Sequence, residues 1–145
     1  MPVALVVDDD RWIVKTTAQV LEREGYSVLT AHDVPRAVIL LCESPPDLMV
    51  LDLHMPIVEG VELLAALRKS TWGRKIPVVA MSGIYGRHHS AVQDAEGLGA
   101  VFLSKPCSIH DLREASKMAQ SIIANGFVPR DPESMVVTLS LSPAH

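Results

Sequence analysis

The sequence predicts an α/β domain in which five parallel strands form one sheet covered by helices on both faces. Two observations lead there. Apolar, strand-like runs alternate with helix-period stretches five times between residue 1 and about residue 125. The first run, residues 3–7, is continuously apolar rather than alternating, which suits a strand buried on both faces. Parallel neighbours need right-handed crossovers, which the intervening helices supply, and ligands of such sheets bind beyond the carboxyl ends of the strands. With 145 residues the chain has the size of one domain with one core.

Residues 3–7 run into Asp8, Asp9 and Asp10. Behind them Ile13, Thr17, Val20 and Leu21 recur at helical spacing, with Asp10 placed to cap the helix and Gly25 to stop it. Residues 26–31 read as the second strand. Asp33 then caps a helix reaching about Glu43, Ser44-Pro45-Pro46 breaks it, and residues 47–53 form the third strand. Val61, Leu64, Ala65 and Leu67 make a helical stripe within 60–70 that Trp72-Gly73 interrupts, and residues 77–82 supply the fourth strand. Residues 90–97 make a short helix and 100–104 the fifth strand. Ser108 with Asp111 has the form of a capping box, opening a helix to Ala124 that Asn125-Gly126 ends. The domain is therefore set at 1–125, with 126–145 as a C-terminal tail or linker in which Val137, Leu139 and Leu141 alternate as one further strand would.

A hydrophobic fraction of 48% with 21% charged residues excludes a disordered or fibrous chain. Seventeen acidic against thirteen basic residues give a net charge of -4, and no cluster of lysine and arginine is present to neutralise a run of phosphates, so direct nucleic-acid binding is not expected. Apolar runs fall short of a membrane span and no basic leader precedes one, which points to no membrane association and a cytoplasmic protein. Cys42 and Cys107 sit in different segments and read as reduced, structural thiols.

Asp8 and Asp9 follow the first strand, Asp52 the core of the third, Ser82 ends the fourth and Lys105 follows the fifth, so all share one edge of the sheet. Three carboxylates brought together raise one another's pKa unless a divalent cation that prefers oxygen ligands holds them ionised; the expected ion is Mg²⁺. A carboxylate beside such an ion is a competent nucleophile toward phosphorus, because phosphoryl transfer needs mainly positioning and neutralisation of the equatorial oxygens. Lys105 and Ser82 offer an ammonium and a hydroxyl for that purpose. Singly, each residue has an ordinary explanation as a helix cap, a turn serine or a surface lysine; their joint order at the strand ends is what is specific.

The motifs Leu5-Val6-Val7-Asp8-Asp9, Val50-Leu51-Asp52-Leu53-His54-Met55-Pro56 with Gly60, Ala80-Met81-Ser82-Gly83 and Ser104-Lys105-Pro106 resemble those of CheY-like response-regulator receivers of two-component signalling, over residues 1 to about 125. The resemblance implies a flavodoxin-like sheet of strand order 2-1-3-4-5 and a signalling phosphoacceptor rather than a turnover enzyme, with only self-phosphorylation and autodephosphorylation of its own. It implies that Asp52 accepts a phosphoryl group from a sensor histidine kinase or a histidine phosphotransfer protein. Asp8, Asp9, Asp52 and the backbone carbonyl of His54 would hold Mg²⁺, and Ser82 and Lys105 would engage the phosphoryl oxygens. It also implies a cis Lys105-Pro106 bond. Phe102 falls at the switch aromatic, whose ring turns inward as Ser82 moves, so that the face of the fourth helix, fifth strand and fifth helix reports to an output partner or pairs two copies as a homodimer.

Two rival readings remain. The run Val6-Val7-Asp8-Asp9-Asp10 also resembles the opening motif of haloacid-dehalogenase-like phosphatases, with Asp8 as nucleophile and Asp10 as acid/base, but that leaves Asp52 and the Met55-Pro56 turn without a role. A phosphate-independent interaction module would not need Asp8, Asp9, Asp52, Ser82 and Lys105 together. Among the remaining residues, His54 is expected as a solvated loop histidine that alternatively tunes water access to an aspartyl phosphate. His88 and His89 are expected as a solvated pair rather than a zinc site. Cys107 and Gly83 depart from the residues usual at those positions in receivers, which would loosen the switch region.

Overall fold

Strands covered by helices on both faces have no polar side to offer, and the central strands are built accordingly. β1 (Val3–Val7), β3 (Leu48–Asp52) and β4 (Val78–Ser82) are buried along nearly their whole length, whereas β2 (Ser27–Ala31) and β5 (Val101–Ser104) keep partly exposed positions. The computed structural model describes residues 1–128 and places all five strands parallel in the order β2-β1-β3-β4-β5, the class and order expected. The alternating Val137, Leu139 and Leu141 lie outside the described residues.

The connecting helices are α1 (Arg11–Arg23), α2 (Val34–Glu43), α3 (Gly60–Lys69), α4 (Ser90–Gly97) and α5 (Ile109–Ala124). Their starts are fixed locally. Asp10 accepts from the backbone N–H of Trp12 and Ile13, Asp33 from Arg36 and Ser108 from Asp111, each satisfying donors that a helix leaves unpaired. Gly25 and Gly126 follow the ends of α1 and α5 with φ of 97° and 82°, the left-handed conformation that glycine adopts without steric cost. Among the described residues no helix is long and apolar enough to cross a membrane.

Successive strand residues point to opposite faces and so divide the core in two. Leu5, Val7, Met49, Leu51, Val78 and Ala80 pack with α2, α3 and α4, while Ala4, Val6, Leu48, Val50, Val79 and Met81 pack with α1 and α5. The register pairs Val7 with Leu51, Asp52 with Met81 and Ser82 with Ser104, so the strand ends are nearly level and their next residues emerge side by side.

Arg68, on α3, is fully buried. Its Nε donates to the Leu98 carbonyl and its Nη1 to the carbonyls of Gly73 and Ile76, each at 2.7 Å, and its guanidinium lies 5.9 Å from the Phe127 ring centroid. Burial lowers its pKa to about 10, still well above neutral pH, so the cation persists and its carbonyl partners replace water. It thereby ties α3 to the turn before β4 and to the C-terminal end of α4. Arg68→Ala is expected to cost about 3–5 kcal/mol in unfolding free energy, by taking its donors from the carbonyls of Leu98, Ile76 and Gly73, of which Gly73 keeps the Ile76 N–H, and Arg68→Lys to recover little because an ammonium lacks the fork. Urea unfolding of both variants measures this; a lysine variant as stable as the parent would contradict the account.

Candidate functional site

Asp8 follows β1, β3 ends at Asp52, β4 at Ser82, and Lys105 follows β5; these residues, with Asp9, Asp10, His54, Gly83 and Ile84, line one cavity of about 260 Å³ at the carboxyl edge of the sheet. Asp8 and Asp52 are buried, at 2% and 5% exposure, which is unusual for carboxylates and demands compensation. Lys105 supplies part of it. Its Nζ lies 2.6 Å from Asp8 Oδ2 and 3.5 Å from Asp52 Oδ2. Asp8 also accepts from the N–H of Asp10, and Asp52 from that of His54.

The ammonium is closer to Asp8, and Asp52 is left under-compensated. Burial first and the Asp8 charge second push the Asp52 carboxyl up to about 7, against the opposing pull of Lys105. Burial disfavours the charge on Lys105, but its hydrogen bond to Asp8 and the Asp52 charge outweigh that and raise its pKa. Excess negative charge persists here after the lysine has been counted. Asp8, Asp9 and Asp52 bring carboxylate oxygens within 4.8 Å of one another, the one such potential metal-binding group among the described residues. Hard oxygen donors in this number fit a divalent cation of the Mg²⁺ or Ca²⁺ type rather than a metal that prefers nitrogen or sulfur.

Gly60 explains how the loop after β3 closes. A Cβ there would lie 2.0 Å from the Asp52 carbonyl oxygen, so only glycine lets α3 begin against the strand end. Ile57, in the same loop, has φ of 71° and is fully exposed, a costly conformation for a β-branched residue and the one positive φ outside glycine among the described residues. Gly83 is not similarly required, because a Cβ would meet Lys105 at an ordinary 3.5 Å. Lys105-Pro106 is cis, as expected.

Asp10 caps α1 with its carboxylate, as expected, and stands outside the acidic trio while lining the same cavity. Phe102, expected at the switch position, is 6% exposed and packed in the core beside α4. Other expectations change. His54 is not simply solvated: its Nδ1 lies 2.9 Å from the Tyr85 hydroxyl and 3.3 Å from Glu59 Oε1. His89 caps α4 by accepting from the N–H of Ala91, and its ring stacks on Tyr85. Glu59, Tyr85 and Arg68 carried no signal in the sequence, because loop residues have no periodicity and an arginine on a helix reads as solvent-exposed. Ser82 Oγ accepts from the N–H of Ile84 and of Tyr85, capping its own loop. The half-buried Cys107 packs against the α1/α5 core, and burial raises its thiol pKa, as suits an inert thiol.

A carboxyl whose pKa is raised on folding gives up stability as pH climbs from its unfolded value, 3.8, to its folded value of about 7. In divalent-free buffer Asp52→Asn is therefore expected to exceed the parent in unfolding free energy by on the order of 2 kcal/mol at about pH 8, and by much less at about pH 5. Denaturant titrations at both pH values measure the gap, and an unchanged gap would remove the strain assigned to Asp52.

The sequence pattern of the response regulator receiver domain matches residues 4–117. The alginate biosynthesis transcriptional regulatory protein AlgB of Pseudomonas aeruginosa is 42% identical over 117 residues, covering 77% of this chain and 24% of AlgB. The response regulator MprA of Mycobacterium avium is 30% identical over 139 residues, covering 94% of this chain and 57% of MprA. The chain thus spans well under two thirds of these relatives. Among solved structures, a CheY-like response regulator receiver domain protein from Methanospirillum hungatei superposes with a TM-score of 0.77 at 26% identity, over 88% of this chain and 99% of that one. A response regulator from Burkholderia pseudomallei, with a phosphorylated aspartic acid, calcium ion and citrate, superposes with a TM-score of 0.72 at 26% identity, over 86% of this chain and 72% of that one.

Proposed function

The chain belongs to the response regulator receiver domain family, and from that premise we propose that Asp52 accepts a phosphoryl group from a phosphohistidine donor beside Mg²⁺. The observation that supports this most directly is the placement of a buried, under-compensated Asp52 between the Asp8/Asp9 carboxylates and Lys105 in one open cavity. An Asp52 carboxylate oxygen forms the new O–P bond as the P–N bond to the donor imidazole breaks, and the imidazole leaves with the electron pair and takes up a proton. Asp8, Asp9, Asp52 and the His54 carbonyl are the groups assigned to the ion, which supplies neutralisation of charge on the phosphoryl oxygens.

Lys105 then has a new partner. Its ammonium, already within 3.5 Å of Asp52, pairs with a phosphoryl oxygen at the cost of its contact with Asp8. Ser82 still has its hydroxyl proton to donate, and reaching a phosphoryl oxygen draws the side chain away from the N–H groups of Ile84 and Tyr85. The β4–α4 loop is thus the element that moves, with Phe102 as the buried surface against which α4 resettles. We assign the receiver to residues 1–125 and a tail or linker to 126 onward, with the α4–β5–α5 face as the surface read by an output partner or paired in a homodimer. AlgB is by name a transcriptional regulatory protein, which favours an output controlling transcription, reached through protein contact and in the cytoplasm.

The test is to incubate the protein with acetyl phosphate and Mg²⁺ and weigh it intact, alongside Asp52→Asn. One phosphoryl adduct that requires the metal and is absent from the variant is expected. Undiminished labelling of Asp52→Asn would take the acceptor role from Asp52, and an unlabelled parent would overturn phosphoacceptance itself.

A further inference from the structure

Tyr85 lies in the β4–α4 loop, three residues after Ser82, and its hydroxyl reaches Glu59 and the cavity-lining His54 in the loop that follows β3. It donates to Glu59 Oε2 at 2.8 Å and receives the proton of His54 Nδ1 at 2.9 Å, an assignment in which that same N–H also faces Glu59 Oε1 at 3.3 Å. The Tyr85 ring stacks on His89, with centroids 3.9 Å apart and planes 11° from parallel, and His89 is the cap of α4. The Tyr85 backbone N–H donates to Ser82 Oγ. One residue therefore touches the switch hydroxyl with its backbone, the first turn of α4 through its ring, and the loop holding Asp52 in place with its hydroxyl.

We propose that Tyr85, Glu59 and His54 form a latch across the phosphorylation site that holds the β4–α4 loop in the arrangement where Ser82 caps its own turn, and so sets how readily Asp52 takes a phosphoryl group. The inference rests on the reading of Asp52 as acceptor and Ser82 as switch. Its physical basis is linkage. Drawing Ser82 toward a phosphoryl oxygen moves the residues bonded to it, and Tyr85 is the nearest of these with a side-chain anchor on a different element. Whatever free energy the latch gives to the held arrangement is lost when the loop moves, and so opposes phosphorylation by the same factor. The hydrogen bond to a carboxylate is of the stronger, charge-assisted kind. Tyr85, Glu59 and the His54 side chain act here as positioning residues, not as groups that touch the reacting atoms.

Tyr85→Phe removes the hydroxyl while keeping the ring that stacks on His89. Two readouts are needed. In the chain given no phosphodonor, amide hydrogen exchange across residues 83–89 is expected to accelerate about three- to tenfold. Labelling of Asp52 by acetyl phosphate with Mg²⁺ is expected to accelerate by a similar factor of about three to ten, with Glu59→Gln, which keeps an acceptor oxygen but not the charge, falling between. Exchange equal to the parent's overturns the latch, and faster exchange with an unchanged or slower labelling rate overturns its control of acceptance. An unlabelled parent chain would instead sink the acceptor reading, while the exchange result still decides whether the latch exists.

Discussion

The contact between Lys105 Nζ and Asp8 Oδ2, 2.6 Å long, allows two buried carboxylates and a third exposed one to occupy one end of the sheet. Removing it would leave Asp8 and Asp52 facing each other in a region poor in water, where like charges cannot both persist. Its reach is limited: the same ammonium is 3.5 Å from Asp52, too far to compensate it to the same degree. The consequence is a carboxyl raised to about 7 beside a group of acids that still carry excess charge. A site in that condition favours an added cation, which offsets the charge that a single ammonium leaves uncompensated.

The fold delivers this crowding by register rather than by loop design. Val7 pairs with Leu51, and Asp52 with Met81, so the residues that follow β1, β3 and β4 leave the sheet at nearly the same height. β1 lies between β2 and β3, so the chain crosses to opposite faces on either side of it; the crevice at that reversal is where Asp8 and Asp52 stand. Gly60 then lets α3 start against the Asp52 carbonyl, which closes the loop without lengthening it. Arg68 braces the far end of the same helix against α4, through Leu98, and against the turn before β4. α3 is thereby held at both ends.

Much of this was legible in the chain because it is local. Asp10, Asp33 and Ser108 announce helix starts through short-range capping, and unbroken apolar runs announce strands buried on both faces. Strand order was different: periodicity says nothing about which strand lies beside which, and the order came only with the resemblance of the strand-end motifs to receivers. Asp10 was legible as a cap because the bonds it makes, to the N–H of Trp12 and Ile13, are two and three residues away. Arg68 was invisible for a tertiary reason, since the carbonyls it serves belong to segments up to 30 residues away. The joining of His54, Glu59 and Tyr85 depends on two loops meeting, and neither loop has a period to read.

Ser82 shows why such a site can switch at modest cost. Its oxygen accepts two loop N–H groups, so a move toward a phosphoryl group gives up bonds that Ser82 accepts for one that its hydroxyl donates. Such exchanges come out close to balanced, because each intramolecular hydrogen bond is worth only about 1 kcal/mol net. A phosphoryl oxygen carrying charge tips the balance, and groups that hold the loop back tip it the other way. On the proposed reading the loop has two arrangements, one in which Ser82 Oγ accepts from Ile84 and Tyr85 and one in which its hydroxyl donates to a phosphoryl oxygen. On that same reading its set-point lies with the residues that touch the loop without touching the phosphoryl group, Tyr85 and its partners, rather than with the acidic site.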